Sequence, residues 1–544
     1  MNPRDRALAD ITAPGQPFEI RTEPVPSSNT GLGQALPVFA NRQRSLGELL
    51  TASAGFGERE YLVTEHSRLT FAGHYAVVAA FAEALRADYG VRKGDRVAIC
   101  AANSPEWIIA FWAVTSLGAI AVGMNSMWAG PEMRHGIDLT GPKVIIVDEG
   151  RRKLVGDGLP VISTQEDLPS LAARHAGVEV PVERVDEDDP AVILFTSGTS
   201  GRAKGATHSH RNVIAACWYI LLGDALSSAL GFPPSPDRRF LLMSPLFHIA
   251  SLHNLAVPRL AAGDTAVIYE GRFEVDRVLQ LIESEHVTNW GAMPTMLSRL
   301  VGHPDLGKYD LSSLQSLSVN SAPSSAELKE RVRAALPGLS LATTYGLTES
   351  STAVTMATPA DLLADPDTVG TVVPNMEVSI RDSSGNEVPQ GTEGEIWLRG
   401  AQMMLGYWND PVSTQRSTAP GGWFRTGDLG LFSGGQLKIS GRRSDLILRG
   451  GENVYPAEVE NVLSSHPLVA EVAVFGVPHP DLGEEVAAVA VVHGSVSEDQ
   501  LTAYARERLG KYKVPSRWLL TTEPLPRNAT GKVIRPAVAA LLRP

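Results

Sequence analysis

Cysteine is almost missing from this chain. Among 544 residues there are two, Cys100 and Cys217, and neither sits in a metal-ligand spacing. Two are too few for a disulfide scaffold and fit a reducing compartment, so the expected location is the cytoplasm. An excess of positive charge is missing as well. The formal net charge is −12, which argues against nucleic acid, whose binding needs dense basic patches. An anionic substrate must then be met by a few local cations rather than by a global field. The first residues, "MNPRDRALADITAPGQPFEI", lack the apolar stretch of a secretory signal. Long uncharged runs are scarce. One, Trp107 to Met124, is nearly long enough to span a bilayer. Its flanks read differently: Ser104 suits an N-cap, Pro105 the first helical position and Gly118 a helix end. A buried helix followed by a strand, "AIAVGM", is expected there, and no transmembrane segment. No internal repeat is visible.

What is present is the composition of a soluble globular protein, 43% apolar and 20% charged. The chain is too long for one ordinary core, so two or more domains are expected. Residues 11 to 45 are rich in Pro, Ser and Asn without a period, and 1–45 is read as an extended N-terminal arm. From residue 46 to 441, short apolar strands such as "RVAICAAN", "KVIIVDE", "AVILF" and "LQSLSVN" alternate with helical stretches. That alternation predicts an α/β fold, a large domain of layered sheets and helices. The character changes near "GRRSD". Residues 442–544 carry two helical and two strand patterns, the make-up of a small α+β domain.

The most informative run is "TSGTSGRAKG", residues 196–205. Small residues let backbone N–H groups approach oxygen closely, so such loops hold phosphate. It is not a Walker loop, because Gly198 and Gly201 are too close together and Gly205 follows Lys204. Nor is it a nucleophile elbow, because "GTSG" lacks the residue between serine and the second glycine. Further runs accompany it: "SPLFHIA" (244–250), "SAP" (321–323), "TYGLTES" (344–350) and "GWFRTGDLG" (422–430). "GRRSDLILRGGENVYPAEVE" (441–460), "KYKVP" (511–515) and "NATGKVIR" (528–535) follow. In that order and spacing the chain resembles the class I adenylate-forming superfamily, and most closely its acyl-CoA synthetases.

The resemblance implies an acid–thiol ligase. ATP would convert a hydrophobic carboxylic acid (fatty, aryl or polycyclic) to acyl-AMP with release of pyrophosphate. CoA would then take the acyl group, the cofactors being ATP, Mg²⁺ and CoA. An adenylating enzyme that passes its acyl group to a carrier protein is the alternative, and a homodimer is compatible with either. A nucleotide-binding sensor without catalysis would be expected to have lost Lys532, Glu349 or Asp428, and all three are present.

By resemblance Thr196, Ser197, Gly198, Thr199, Ser200 and Lys204 wrap the phosphates. Tyr345 and Gly346 meet the adenine on one side, and Ser321, Ala322 and Pro323 on the other. Thr348 touches the α-phosphate, Glu349 holds Mg²⁺ with Thr199, and a carboxylate suits that hard cation. Asp428 accepts the ribose hydroxyls, Arg442 contacts ribose or phosphate, and Lys532 bridges the carboxylate and α-phosphate in the transition state. His248 lies where acid meets adenylate; a satisfied core histidine is the other reading. Ser251, Asn320 and Ala353 line the acyl pocket, which the first two would narrow or supply with hydrogen bonds. Ser444 is the hinge of a mobile small domain, and Gly450 and Gly451 let pantetheine pass close to backbone. His208 and His210, spaced as "HSH", have no acidic or cysteine partner nearby and are not expected to hold metal.

Overall fold

The run from Trp107 to Met124 divides as its flanks require. A helix spans Pro105–Ser116, with Ser104 Oγ accepting from the Trp107 N–H, and every residue in it except Glu106 is buried. A helix apolar on all sides belongs inside a core, and each large apolar side chain so buried contributes about 1.5–3 kcal/mol. Gly118 then takes φ +64, which a Cβ would resist, and the strand Ile120–Gly123 follows, wholly buried. Among the described residues one helix, His210–Ala229, is long and apolar enough to cross a membrane, and half of it is buried in the protein. The computed structural model describes residues 3–26, 33–181, 183–196, 202–319, 326–442, 445–449, 452–480, 482–528 and 532–542.

The architecture is α/β, as expected. One seven-stranded sheet has a parallel centre of Pro190–Thr196, Ile120–Gly123, Arg96–Cys100, Val144–Val147 and Val161–Ser163. Lys204–Ser209 and then Gly406–Tyr407 add to it antiparallel at one edge. A second sheet of fourteen strands is parallel from Glu60–Val63 through to Ser340–Gly346. It turns antiparallel from Ala353–Ala357 onward, through Trp423–Ser433 and Gln436–Arg442. Parallel strands buried on both faces are expected to be continuously apolar, as "VIIV" and "AVILF" are.

A five-stranded sheet begins at Ile447–Arg449 and includes Val469–His479, Gly483–Val492 and Arg517–Thr521. The helices Pro456–Ser464 and Glu498–Arg506 accompany it, together with Arg535–Leu541, which the sequence patterns did not suggest. The Tyr455 hydroxyl donates to Glu393 of the fourteen-stranded sheet's side, tying this unit to the larger one.

The N-terminal segment departs from expectation. It is not an extended arm: a helix spans Pro3–Thr12, and Ile20–Pro26 pairs antiparallel with Gly33–Phe39. The order has an electrostatic cause. Arg42, 1% exposed at its side chain, donates to the Phe39 carbonyl, to Glu23 on the hairpin and to Glu187. Glu187 also pairs with Arg211 at 2.6 Å, and Arg211 with Asp188. A composition count misses such long-range partners.

Candidate functional site

The hydroxyl- and glycine-rich loop springs from a hairpin. Pro190–Thr196, a β-branched strand with a buried middle, pairs antiparallel with Lys204–Ser209, and Thr196 stands opposite Lys204. Ser197, Gly198, Thr199 and Ser200 lie outside the described residues. At the base of the loop the Lys204 ammonium lies 5.1 Å from the Tyr407 ring centroid, a cation–π distance. Tyr407 is brought there by Gly406–Tyr407 pairing with Ala206 and Thr207. Its hydroxyl donates to Glu349 Oε1 at 2.7 Å. Burial and the Glu349 carboxylate push the Tyr407 phenol far above its usual range, so it stays a donor.

Tyr345, Gly346, Thr348 and Glu349 follow from one tight reversal. The strand Ser340–Gly346 ends and a single turn, Thr348–Ser350, begins. A Cβ on Gly346 would stand 2.3 Å from the Thr352 carbonyl oxygen, so the chain can double back only with glycine here. The Tyr345 hydroxyl donates to Asp428 Oδ2 at 2.7 Å, and both residues are buried. Arg442 Nε donates to Asp428 Oδ1, also at 2.7 Å, across the antiparallel pair in which the two residues face each other. The Asp428 carboxylate raises the Arg442 guanidinium further above its usual value and, with burial, holds the Tyr345 phenol protonated. Each carboxylate oxygen can accept more than one hydrogen bond, so both remain able to take ribose hydroxyls.

Lys532 closes the group. Asn528 Oδ1 accepts from the Lys532 N–H at 2.9 Å, and the Asn528 N–H donates to the Lys532 carbonyl at 2.8 Å. This turn presents the lysine at an exposed position. Partial desolvation and the Arg442 charge lower its amine from the usual lysine value, and Asp428 and Glu349 partly offset them. His248 lies in the same electrostatic neighbourhood. Burial and the Lys532 charge push its imidazole down to about 4, so it is neutral near pH 7. Its Nε2 is buried without a hydrogen-bond partner, as are those of His74, His208, His210 and His253.

The segment after His248 forms one π turn, Leu252–Ala256, a feature that recurs at functional sites. The hydroxyl of Ser251 is already spent on the Ser244 carbonyl, so it has no hydrogen left to offer an acyl group. Ala353 is buried at the start of its strand. Asn320, Ser321, Ala322 and Pro323 lie outside the described residues, as do Ser444, Gly450 and Gly451. The strands flanking the last two pair, with Arg449 opposite Glu452. Of the "HSH" histidines, His210 Nδ1 accepts from the Leu46 N–H at 3.2 Å, and His208 faces Ser351 and His253. Three members of this group, Tyr407, Ser351 and His253, escape a reading of the sequence. Each meets its partner across 58 residues or more, and no local pattern signals such a contact.

Comparison with known proteins shows the family to which the chain belongs. Residues 49–408 match the model of the AMP-binding enzyme family, and residues 458–532 that of the AMP-binding enzyme C-terminal domain. The chain is 35% identical over 484 residues to feruloyl-CoA synthase of an Amycolatopsis species, covering 86% of this chain and 92% of that one. It is 32% identical over 509 residues to the long-chain-fatty-acid–CoA ligase FadD13 of Mycobacterium tuberculosis, covering 90% and 97%. Among solved structures it resembles the Bacillus subtilis o-succinylbenzoate CoA synthetase in complex with its acyl-adenylate intermediate. The TM-score is 0.79 at 32% identity, over 91% of this chain and 97% of that one.

Proposed function

Since the chain belongs to the AMP-binding enzyme family and is an AMP-forming acid–thiol ligase that uses ATP, Mg²⁺ and CoA, we propose that it activates a hydrophobic carboxylic acid as its acyl-AMP and transfers the acyl group to CoA. One observation carries the reading: the Tyr345 hydroxyl and the Arg442 guanidinium converge on the buried Asp428 carboxylate, and Tyr345 is close in sequence to Glu349, whose carboxylate is held by Tyr407. A carboxylate approaching a triphosphate needs its charge neutralised and its attack held in line. Lys204 and the preceding loop hold the β- and γ-phosphates. Tyr345 takes the adenine, Asp428 the ribose, and Thr348 the α-phosphate. Lys532 offsets the charge that develops between carboxylate and α-phosphate, and pyrophosphate leaves. Tyr407 occupies one carboxylate oxygen of Glu349, leaving the other for the cation. Mg²⁺ bound there supplies charge neutralisation across the phosphates. His248, neutral and without a partner at Nε2, orients the acid.

The second step follows from the division of the chain. Residues 46–441 form the large domain and 442–544 a small one that turns about Ser444. The fourteen-stranded sheet's last strand in sequence ends at Arg442 and the next sheet begins at Ile447, which supports a boundary there. The turn carries Lys532 away and brings the hairpin around Gly450 and Gly451 to the site for CoA. Pyrophosphate release across a panel of fatty, aryl and polycyclic acids, each with and without CoA, tests the reading. Acyl-CoA formed from at least one of them is expected. Acyl-AMP that accumulates and passes only to a carrier protein would replace CoA as the acceptor.

A further inference from the structure

Three segments of the site meet at a single serine. Ser351 is fully buried and takes φ +59, ψ −29, a left-handed conformation costly for a residue other than glycine. It closes the turn that carries Thr348 and Glu349, its N–H donating to the Thr348 carbonyl at 3.1 Å. His208, four residues past Lys204 on the strand leaving the phosphate loop, places Nδ1 2.8 Å from Ser351 Oγ. His253, in the π turn five residues past His248, places Nδ1 3.1 Å from the Ser351 carbonyl oxygen. The two imidazoles stand edge to face, centroids 5.1 Å apart. The adjoining Thr352 hydroxyl donates to Asn254 Oδ1 in the same π turn.

The proton positions follow from the partners. A carbonyl only accepts, so His253 carries its proton on Nδ1. Burial holds both rings neutral near pH 7, with His253 pushed down to about 4. The contacts are therefore neutral hydrogen bonds, independent of charge on either ring.

We propose that His208 and His253 are positioning residues which, through Ser351, set the Glu349 carboxylate against both the phosphate loop and the acid-binding segment. The proposal rests on the reading of Glu349 as the Mg²⁺ ligand. A strained serine held from two sides fixes where the turn before it points, and neither histidine need touch a substrate. Were the three residues only core packing, their removal would lower stability without altering the requirement for Mg²⁺.

ATP–pyrophosphate exchange, titrated with Mg²⁺ and normalised to folded protein, decides between these. His208→Leu and Ser351→Ala are each expected to raise the half-saturating Mg²⁺ concentration about tenfold and to lower kcat, since a displacement near 1 Å at a catalytic group can cost about a hundredfold. His208→Asn, whose amide can replace Nδ1, should recover most of this. Ser351→Gly removes the strain but also the hydroxyl, and should behave like Ser351→Ala. The double variant His208→Leu/Ser351→Ala should be no worse than either single one, as expected for one shared contact. Should His208→Leu fail to fold, Ser351→Ala, which removes one oxygen, carries the test. Unchanged Mg²⁺ dependence in these variants, or equal loss in His208→Asn and His208→Leu, overturns the proposal. Glu349→Gln, measured alongside, separates the two ideas. If Glu349→Gln shifts the Mg²⁺ requirement and Ser351→Ala does not, the positioning role alone falls. If Glu349→Gln leaves it unshifted, the metal-ligand reading falls and takes the positioning role with it.

Discussion

Replacing Lys532 by alanine removes one ammonium and leaves its surroundings in place. Its backbone turn is held by Asn528 through main-chain atoms that alanine retains, so the fold should survive. A preorganised charge lost from a transition state costs on the order of a hundred- to a thousandfold in rate, or about 3–4 kcal/mol. Lys532 is solvent-reached, and water screens part of its effect, so the lower end of that range is expected. The adenylation half-reaction, followed by pyrophosphate release, should carry nearly all of this loss. Thioester formation from preformed acyl-AMP should be nearly untouched, because the proposed turn of the small domain precedes it. The pH profile gives a second readout. The amine is lowered from the ordinary lysine value, and its protonated form is the active one. Adenylation should therefore fall as pH rises through that lowered value, on an alkaline limb that Lys532→Ala lacks. Equal losses in both half-reactions, or an alkaline limb that survives the substitution, would refute this assignment.

Asp428→Ala should raise KM for ATP far more than it lowers kcat, because a ribose contact acts in ground and transition states alike; steady-state kinetics in ATP checks this. Tyr407→Phe keeps the ring beneath Lys204 but removes the donor to Glu349. A fewfold to about tenfold rise in the Mg²⁺ requirement is expected, in line with one lost hydrogen bond to a charged group, and an unchanged Mg²⁺ titration would count against it. Acid should destabilise the fold. His74 is pushed down to about 3, and His210, His248 and His253 to about 4, all by burial. Their folded values lie below their unfolded ones, so the unfolded chain binds more protons between roughly pH 6.5 and 4. Stability present above that window is lost as pH falls through it. Thermal midpoints should drop from pH 7 to pH 5, and a flat profile would contradict the assignment.

Much of the fold is local and was legible. Ser104, Pro105 and Gly118 bound a helix by capping chemistry alone, and continuously apolar strands mark a sheet buried on both faces. The pairing of Asp428 with Arg442 could not be read, although both residues could be named. It depends on the register of two strands, which the thirteen intervening residues do not reveal. Tyr407 gave no signal, because a two-residue strand has no periodicity and its partner lies 58 positions away. The N-terminal segment misled for a related reason. Its order comes from Arg42 meeting Glu187, 145 positions on, and proline-rich composition says nothing about such a partner.

That arginine has a consequence for where the molecule begins as a folding unit. Glu187 and Asp188 lie just before the strand that rises into the phosphate loop, and Arg42 supplies part of the positive charge that offsets them. Remove the first 45 residues and Glu187 loses two of its three cations, Arg42 and Arg44. Phe39 and Phe18, packed tilted and edge-on against Trp218, would leave an apolar face of the long helix bare. The family model's match starts at residue 49, yet contacts that complete this side of the domain start earlier, at Phe18 and Arg42. A deletion guided by that match alone would cut away the partners of Glu187 and Trp218.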